Sequence, residues 1–93
     1  MNFLMETIKE VKIANNQILY KLVRGDKFNK ASYGIEVYYG SDEKAEKKSV
    51  PNITTDFNQI NEIYNIVIDN CVLPSTLEEV IGEYISIKYT VIN

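Results

Sequence analysis

The sequence predicts an α+β domain in which an antiparallel β-meander of about four strands precedes two helices packed on one face of the sheet. In the first half of the chain, apolar and polar residues alternate at the period of two that is typical of strands. In the second half, apolar residues recur at helical spacing, and strands that all precede the helices indicate an α+β fold. We expect a single domain over residues 1–93, mainly β over 1–53 and helical over 54–86, with a strand or tail over 87–93.

Four segments have the composition and alternation of strands, at residues 7–13, 17–24, 33–39 and about 47–53. Turn-forming residues such as Asn, Gly and Asp separate these segments. The third segment is the clearest, because its odd-numbered residues from Tyr33 to Tyr39 are apolar or aromatic. Pro51 has no N–H for a strand ladder, so we expect the fourth strand to lie at a sheet edge or to end there.

Two capping boxes predict where the helices begin. Asp56 is the expected N-cap of the first helix, with Gln59 as its reciprocal partner, and the helix should end at Leu73-Pro74. Ser75 and Glu78 form the second box in the sequence. The apolar stripe predicted for the first helix consists of Phe57, Ile60, Tyr64, Val67 and Cys71. This position predicts a buried and unreactive Cys71 thiol.

The C-terminal segment has two interpretations. The second helix has an apolar stripe at Leu77, Val80, Ile81, Tyr84 and Ile85, and it could continue to the chain end. Residues 85–92 also alternate and are rich in β-branched side chains, so we favour a short strand that begins near Ile87. Such a strand would join the protein's own sheet or pair with a second copy in a homodimer.

Composition argues against an enzyme. The chain has no histidine and one cysteine, which removes the residue types that supply most general bases near neutral pH, thiolate nucleophiles and zinc ligands. The four glycines are too dispersed for a phosphate loop. We therefore expect no catalytic residue, metal or cofactor. The sequence also has no apolar run long enough to span a membrane and no export signal, so we expect a cytoplasmic protein.

Charge is distributed unevenly along the chain. Up to Ile53 there are nine basic and seven acidic residues, whereas from Thr54 onward there are six acidic residues and one basic residue. We expect an acidic helical face that binds a protein partner with a basic surface, and an ordinary solvated face is the alternative. The candidate partner-binding residues are Glu62, Asp69, Glu79, Glu83 and Tyr38.

Tyr38 is the candidate for an exposed aromatic anchor, and cross-strand packing beside Glu36 is the alternative. Direct nucleic-acid binding is not expected. Lys44, Lys47 and Lys48 are interleaved with three acidic residues, whereas phosphate contacts depend on uncompensated positive charge.

Four short motifs stand out along the chain, at 32–37 (Ser-Tyr-Gly-Ile-Glu-Val), 50–56 (Val-Pro-Asn-Ile-Thr-Thr-Asp), Cys71 with Leu73-Pro74, and 77–81 (Leu-Glu-Glu-Val-Ile). In this order they resemble a small family of proteins of unknown function from low-GC Gram-positive bacteria and their mobile elements. In that family a Ser-Tyr-Gly-Ile strand, an Ile-Ser-Thr-Asp-like helix entry and a Leu-x-x-Val-Ile-Glu helix recur in this order. The resemblance covers about two-thirds of the chain and implies a fold but no activity. Residues 84–93 depart from the pattern as an apolar extension.

Three functions from different classes fit these observations. The first is a small non-catalytic protein-binding or regulatory module that acts through the acidic helical face. The second is an inhibitor of a bacterial defence nuclease, encoded by a phage or mobile element, that occupies a basic nucleic-acid groove in the manner of an anti-CRISPR protein. The third is a small-molecule-binding domain with a pocket between sheet and helices.

Overall fold

The computed structural model describes residues 5–13, 17–40 and 45–90. Four antiparallel strands form one sheet in the order β1-β2-β3-β4, and the helices follow, which confirms the predicted α+β meander. The strands are β1 (Glu6–Ile13), β2 (Ile18–Lys27), β3 (Lys30–Tyr39) and β4 (Glu46–Thr54). After them come α1 (Phe57–Asp69), a 3₁₀ turn (Pro74–Thr76) and α2 (Leu77–Thr90).

The core lies between one face of the sheet and the two helices. Tyr20 of β2 lies opposite Val37 of β3, and Leu22 lies opposite Ile35. These four side chains are fully buried and pack with the buried stripes of the helices. The helical contribution consists of Ile60, Ile63, Tyr64 and Val67 from α1 and Leu77 and Ile81 from α2. The alternation of β2 and β3 and the helical spacing therefore converge on one apolar layer.

Two buried tyrosines differ in how their hydroxyls are satisfied. The Tyr64 hydroxyl donates a hydrogen bond of 2.9 Å to the backbone oxygen of Tyr20. The Tyr20 hydroxyl has no hydrogen-bond partner among the described residues. Burial raises the pKa of both phenols to about 12, because it disfavours the charged phenolate.

The predicted edge position of β4 is confirmed, and the strand is irregular. β4 lies at the sheet edge, and it continues past Pro51 to Thr54. Its pairing with β3 shifts in register between Tyr33 and Ile35, and Asn52 has a φ of 55°. This irregular backbone lies directly against Gly34, where an added Cβ would be 2.5 Å from the oxygen of Val50. A side chain is therefore excluded at Gly34 by backbone rather than by neighbouring side chains.

The predicted N-cap of α1 is confirmed. The Asp56 carboxylate accepts hydrogen bonds from the backbone N–H groups of Asn58 (2.9 Å) and Gln59 (3.3 Å). The reciprocal contact differs from the simple capping box, because it involves Thr54 at the end of β4. The Thr54 hydroxyl accepts from the Asp56 N–H at 3.1 Å and donates to the Gln59 side-chain oxygen at 2.6 Å.

The second predicted capping box is wrong. Ser75 lies inside the 3₁₀ turn, and α2 begins only at Leu77. The reason is Pro74, whose fixed φ starts a tight turn before the predicted cap position. Glu78 forms an ion pair with Lys48 of β4 at 3.3 Å, which links α2 to the sheet.

The predicted burial of Cys71 is also wrong. Helix α1 ends at Asp69, and the Asn70 side chain donates a hydrogen bond to the backbone oxygen of Ile66. Cys71 follows in a left-handed conformation (φ 48°) with an exposed side chain. Val72, whose N–H donates to the oxygen of Val67, takes the buried position instead. Because α1 ends at Asp69, its buried stripe does not include Cys71.

The strand favoured near Ile87 is wrong for residues 87–90. Helix α2 continues to Thr90, and residues 91–93 lie outside the described part of the chain. Tyr84 and Ile85 extend the partly buried stripe that begins at Ile81, and adding a residue to an existing helix needs no new nucleation. Residues 87–90 are helical, so they cannot pair as a strand with a second copy. No helix of the described residues is both long and apolar enough to span a membrane.

Candidate protein-binding groove

An open groove of about 730 Å³ lies at the junction of α1 and α2. The last turn of α1, the segment that connects the helices, and α2 form its walls. The residues that line it are Ile66, Asn70, Cys71, Val72, Leu73, Thr76, Glu79, Val80, Glu83, Tyr84 and Ile87.

The floor of the groove is apolar. Ile66 and Val80 are half-buried, whereas Leu73 and Ile87 are exposed. The side chain of Ile87 is 67% exposed, which is high for an aliphatic residue on a helix that packs against a core. An exposed aliphatic side chain is unremarkable alone, but several around one concavity are typical of a surface that binds another molecule.

The rim of the groove on α2 is acidic. Glu79 and Glu83 are exposed and lie four residues apart, which places them one above the other on the helix. Neither forms an ion pair within the described ranges, in contrast to neighbouring Glu78, which pairs with Lys48. Two like charges at this spacing cost a few tenths of a kcal/mol in an isolated helix. A positively charged ligand would remove that repulsion.

Glu62 belongs to the same surface through Tyr84. The hydroxyl of Tyr84, a groove residue on α2, donates a hydrogen bond to the Glu62 carboxylate on α1. This contact joins the two helices and fixes the position of the Tyr84 ring beside the apolar floor. Glu62 therefore holds the groove residue Tyr84 in place and also adds a negative charge near the groove.

The structure brings together three of the five residues predicted from the sequence, namely Glu62, Glu79 and Glu83. Asp69 is exposed on α1 and does not line the groove. Tyr38 lies on the opposite face of the sheet from the helices, since its neighbours Val37 and Ile35 alternate toward the core. Tyr38 therefore cannot contribute to the same binding site as the glutamates.

Tyr38 is engaged by its own neighbours on adjacent strands. The amines of Lys21 on β2 and Lys47 on β4 lie 5.1 Å and 5.4 Å from the centre of its ring. Its hydroxyl donates to a Glu36 oxygen at 2.9 Å, and the other oxygen of Glu36 accepts from Ser49 at 3.1 Å. This geometry supports the alternative of cross-strand packing for Tyr38.

The sequence interpretation missed the apolar floor. Val80, Tyr84 and Ile87 follow helical spacing, which would have identified the stripe if the helix had been extended beyond residue 86. Cys71 is absent from the predicted site because its place on the apolar stripe of α1 predicts a buried thiol. Among the described residues, no group of three or more His, Cys, Asp or Glu is placed to hold a metal ion.

The structure thus defines a two-layer α+β domain whose helical layer carries an apolar groove with an acidic rim. Residues 1–87 match the model of a family of unknown function (DUF6514), and the chain belongs to that family. This match confirms the expectation from the sequence that the chain is similar to a family of unknown function. Comparisons with curated proteins and with solved structures gave no match.

Proposed function

We propose that this protein is a non-catalytic regulatory module whose groove receives a basic, amphipathic helical segment of a protein partner. The observation that carries the proposal is the combination of an exposed apolar floor with two glutamates, Glu79 and Glu83, that have no ion-pair partner in the described part of the chain. An entirely solvated acidic face would not need the apolar floor.

The shape of the groove supports a helical ligand. Amphipathic helices dock by laying an apolar stripe into a groove between two helices of their receptor. Here the apolar residues Ile66, Val80 and Ile87 would contact that stripe, and Cys71 also lines the groove. Burying the exposed part of a side chain such as Ile87 contributes about 25 cal/mol for each Å² of apolar surface removed from water.

The charge pattern supports a basic ligand. Glu79 and Glu83 are one helical turn apart, so lysine or arginine residues one turn apart on the partner could face both. Each partly exposed ion pair contributes up to about 1 kcal/mol, so two would raise the affinity by up to about 30-fold. Screening by salt should weaken this contribution, mainly by lowering the association rate.

The proposal is tested by titrating the ¹⁵N-labelled protein with designed helical peptides. One peptide has an apolar face of leucine and a polar face of lysine, and the other has glutamate in place of every lysine. We expect the basic peptide to shift the amide signals of groove residues such as Ile66, Val80 and Ile87. The acidic peptide should produce no such shifts.

Two double variants separate the groove from general electrostatics. Glu79→Gln with Glu83→Gln removes both rim charges, whereas Asp69→Asn with Glu46→Gln removes two exposed charges outside the groove. Both change the net charge equally. We expect only the first to lower the affinity for the basic peptide and to flatten its salt dependence. Equal effects of the two variants, or shifts located on the sheet, would contradict the proposed site.

A further inference from the structure

The two edges of the sheet are not equivalent. The β4 edge is irregular at Pro51 and packs against the 3₁₀ turn that precedes α2. The β1 edge is a regular strand from Lys9 to Ile13 that pairs with β2 on one side and with no other strand of the described residues. Every residue of β1 except Ile13 is exposed, and Val11 is apolar and 36% exposed. Such an edge is competent to pair with another strand.

We propose that β1 pairs with β1 of a second copy of this chain, antiparallel about a two-fold axis at Val11, to form a continuous eight-stranded sheet. This inference is independent of the function proposed for the groove. Symmetry restricts the register strongly. Residues that lie opposite each other in an antiparallel pair point to the same face of the sheet. A two-fold axis perpendicular to the sheet must therefore place one residue of β1 directly opposite the same residue of the second copy.

Charge selects one of the allowed registers. An axis at Lys9, Glu10 or Lys12 would place two identical charges opposite each other, which is destabilising. An axis at Ile8 would fall on the register irregularity between Thr7 and Lys9. An axis at Val11 instead places Glu10 of each copy opposite Lys12 of the other, and the two Val11 side chains contact each other.

The helical layer leaves room for this arrangement. The helices lie over β2, β3 and β4, so the outer side of β1 is not covered by a described element. The Lys9 amine, which points toward the helices, is held by a hydrogen bond of 2.6 Å to Asn61 and would lie beside Ile13 of the second copy. The paired segment is short, so we expect a dimer of micromolar affinity rather than an obligate one.

The test measures the mass of the full chain by sedimentation equilibrium over a wide range of protein concentration. The wild type should approach twice the mass of one chain as its concentration rises. Glu10→Lys and Lys12→Glu each place like charges opposite each other twice, so each variant alone should remain monomeric. An equimolar mixture of the two should form heterodimers, because every cross-strand pair then joins opposite charges.

A control variant and a measurement of folding make the outcome decisive. Lys47→Glu makes the same charge change as Lys12→Glu on the opposite edge strand and should leave dimerisation unchanged. Thermal unfolding of each variant, followed by circular dichroism, verifies that a variant that stays monomeric is still folded. A wild type that stays monomeric at all concentrations, or a mixture that stays monomeric when the wild type dimerises, would overturn the proposal.

The register has its own test. In a Cys71→Ser background, Val11→Cys should form an intermolecular disulfide under mild oxidation, because directly opposite residues have Cβ atoms about 4.5–5.5 Å apart. Lys9→Cys should not, because the two copies of residue 9 would be about 13 Å apart along the strands. Cross-linking through position 9 in preference to position 11 would refute the assigned register.

Discussion

Replacement of Gly34 by alanine should destabilise the protein strongly. An added Cβ would lie 2.5 Å from the Val50 oxygen and 2.7 Å from the Pro51 Cα, and both obstacles are backbone atoms. The clash can be relieved only by moving β4 away from β3. Overpacking costs about 1–3 kcal/mol and a weakened ladder hydrogen bond about 1 kcal/mol, whereas alanine regains about 0.5 kcal/mol in strand propensity.

The expected net loss for Gly34→Ala is therefore about 1.5–3.5 kcal/mol in the free energy of unfolding, a large fraction of the roughly 5–10 kcal/mol of a domain this size. Gly82→Ala is the matched control, since Gly82 is exposed in α2 and its Cβ would have no neighbour within 4 Å. It should stabilise the protein by about 0.5–1 kcal/mol. Urea unfolding followed by circular dichroism measures both. A Gly34→Ala protein as stable as the wild type would refute the close approach of β4.

Three further predictions concern the core and the end of α1. Tyr20→Phe should leave the stability unchanged or raise it by up to about 1 kcal/mol, whereas Tyr64→Phe should lower it by about 1 kcal/mol. The reason is that, of these two hydroxyls, only that of Tyr64 has a hydrogen-bond partner in the described structure. Equal losses of stability in urea unfolding would contradict this difference. Because the pKa of both phenols is raised to about 12, the folded state keeps protons that the unfolded state loses above pH 10. The free energy of unfolding should therefore decline between pH 10 and 12, and less steeply in the Tyr20→Phe, Tyr64→Phe double variant. Cys71→Asn should raise the melting temperature, because asparagine tolerates the left-handed conformation at the end of α1 better than cysteine does; a lower melting temperature would argue against that conformation.

The sequence predicted the elements that depend on local periodicity. The four strands, their meander order, the edge position of β4 and the Asp56 cap all follow from alternation, Pro51 and a short capping motif. The close approach at Gly34 depends on the backbone of a different strand, so no local pattern could reveal it. It now supplies a physical reason for the glycine in the Ser-Tyr-Gly-Ile motif.

The errors lie where two local signals competed. At Ile87, β-branched composition favoured a strand, but packing of Tyr84 and Ile85 against the core extended α2. At Cys71, helical spacing continues the apolar stripe, but α1 ends before it, at the Asn70 cap. Both errors concealed the groove, because its floor is formed by the end of α1 and the extension of α2.

The acidic part of the candidate site was predicted and the apolar part was not. Glu79 and Glu83 follow from charge distribution alone, whereas the sequence does not show that the sheet separates Tyr38 from the helices. The direction of a side chain on a strand depends on which face the helices cover, and that is a property of the tertiary fold.

The most direct test of a ligand-binding groove uses Cys71, the chain's only cysteine, which is exposed and lines the groove. The measurement is the rate at which N-ethylmaleimide, an uncharged thiol reagent, labels the native protein with and without the basic amphipathic peptide. We predict rapid labelling of the free protein and slowing in proportion to the fraction of protein bound. Peptide binding that leaves the Cys71 labelling rate unchanged would contradict the account, because the ligand would then lie outside the groove.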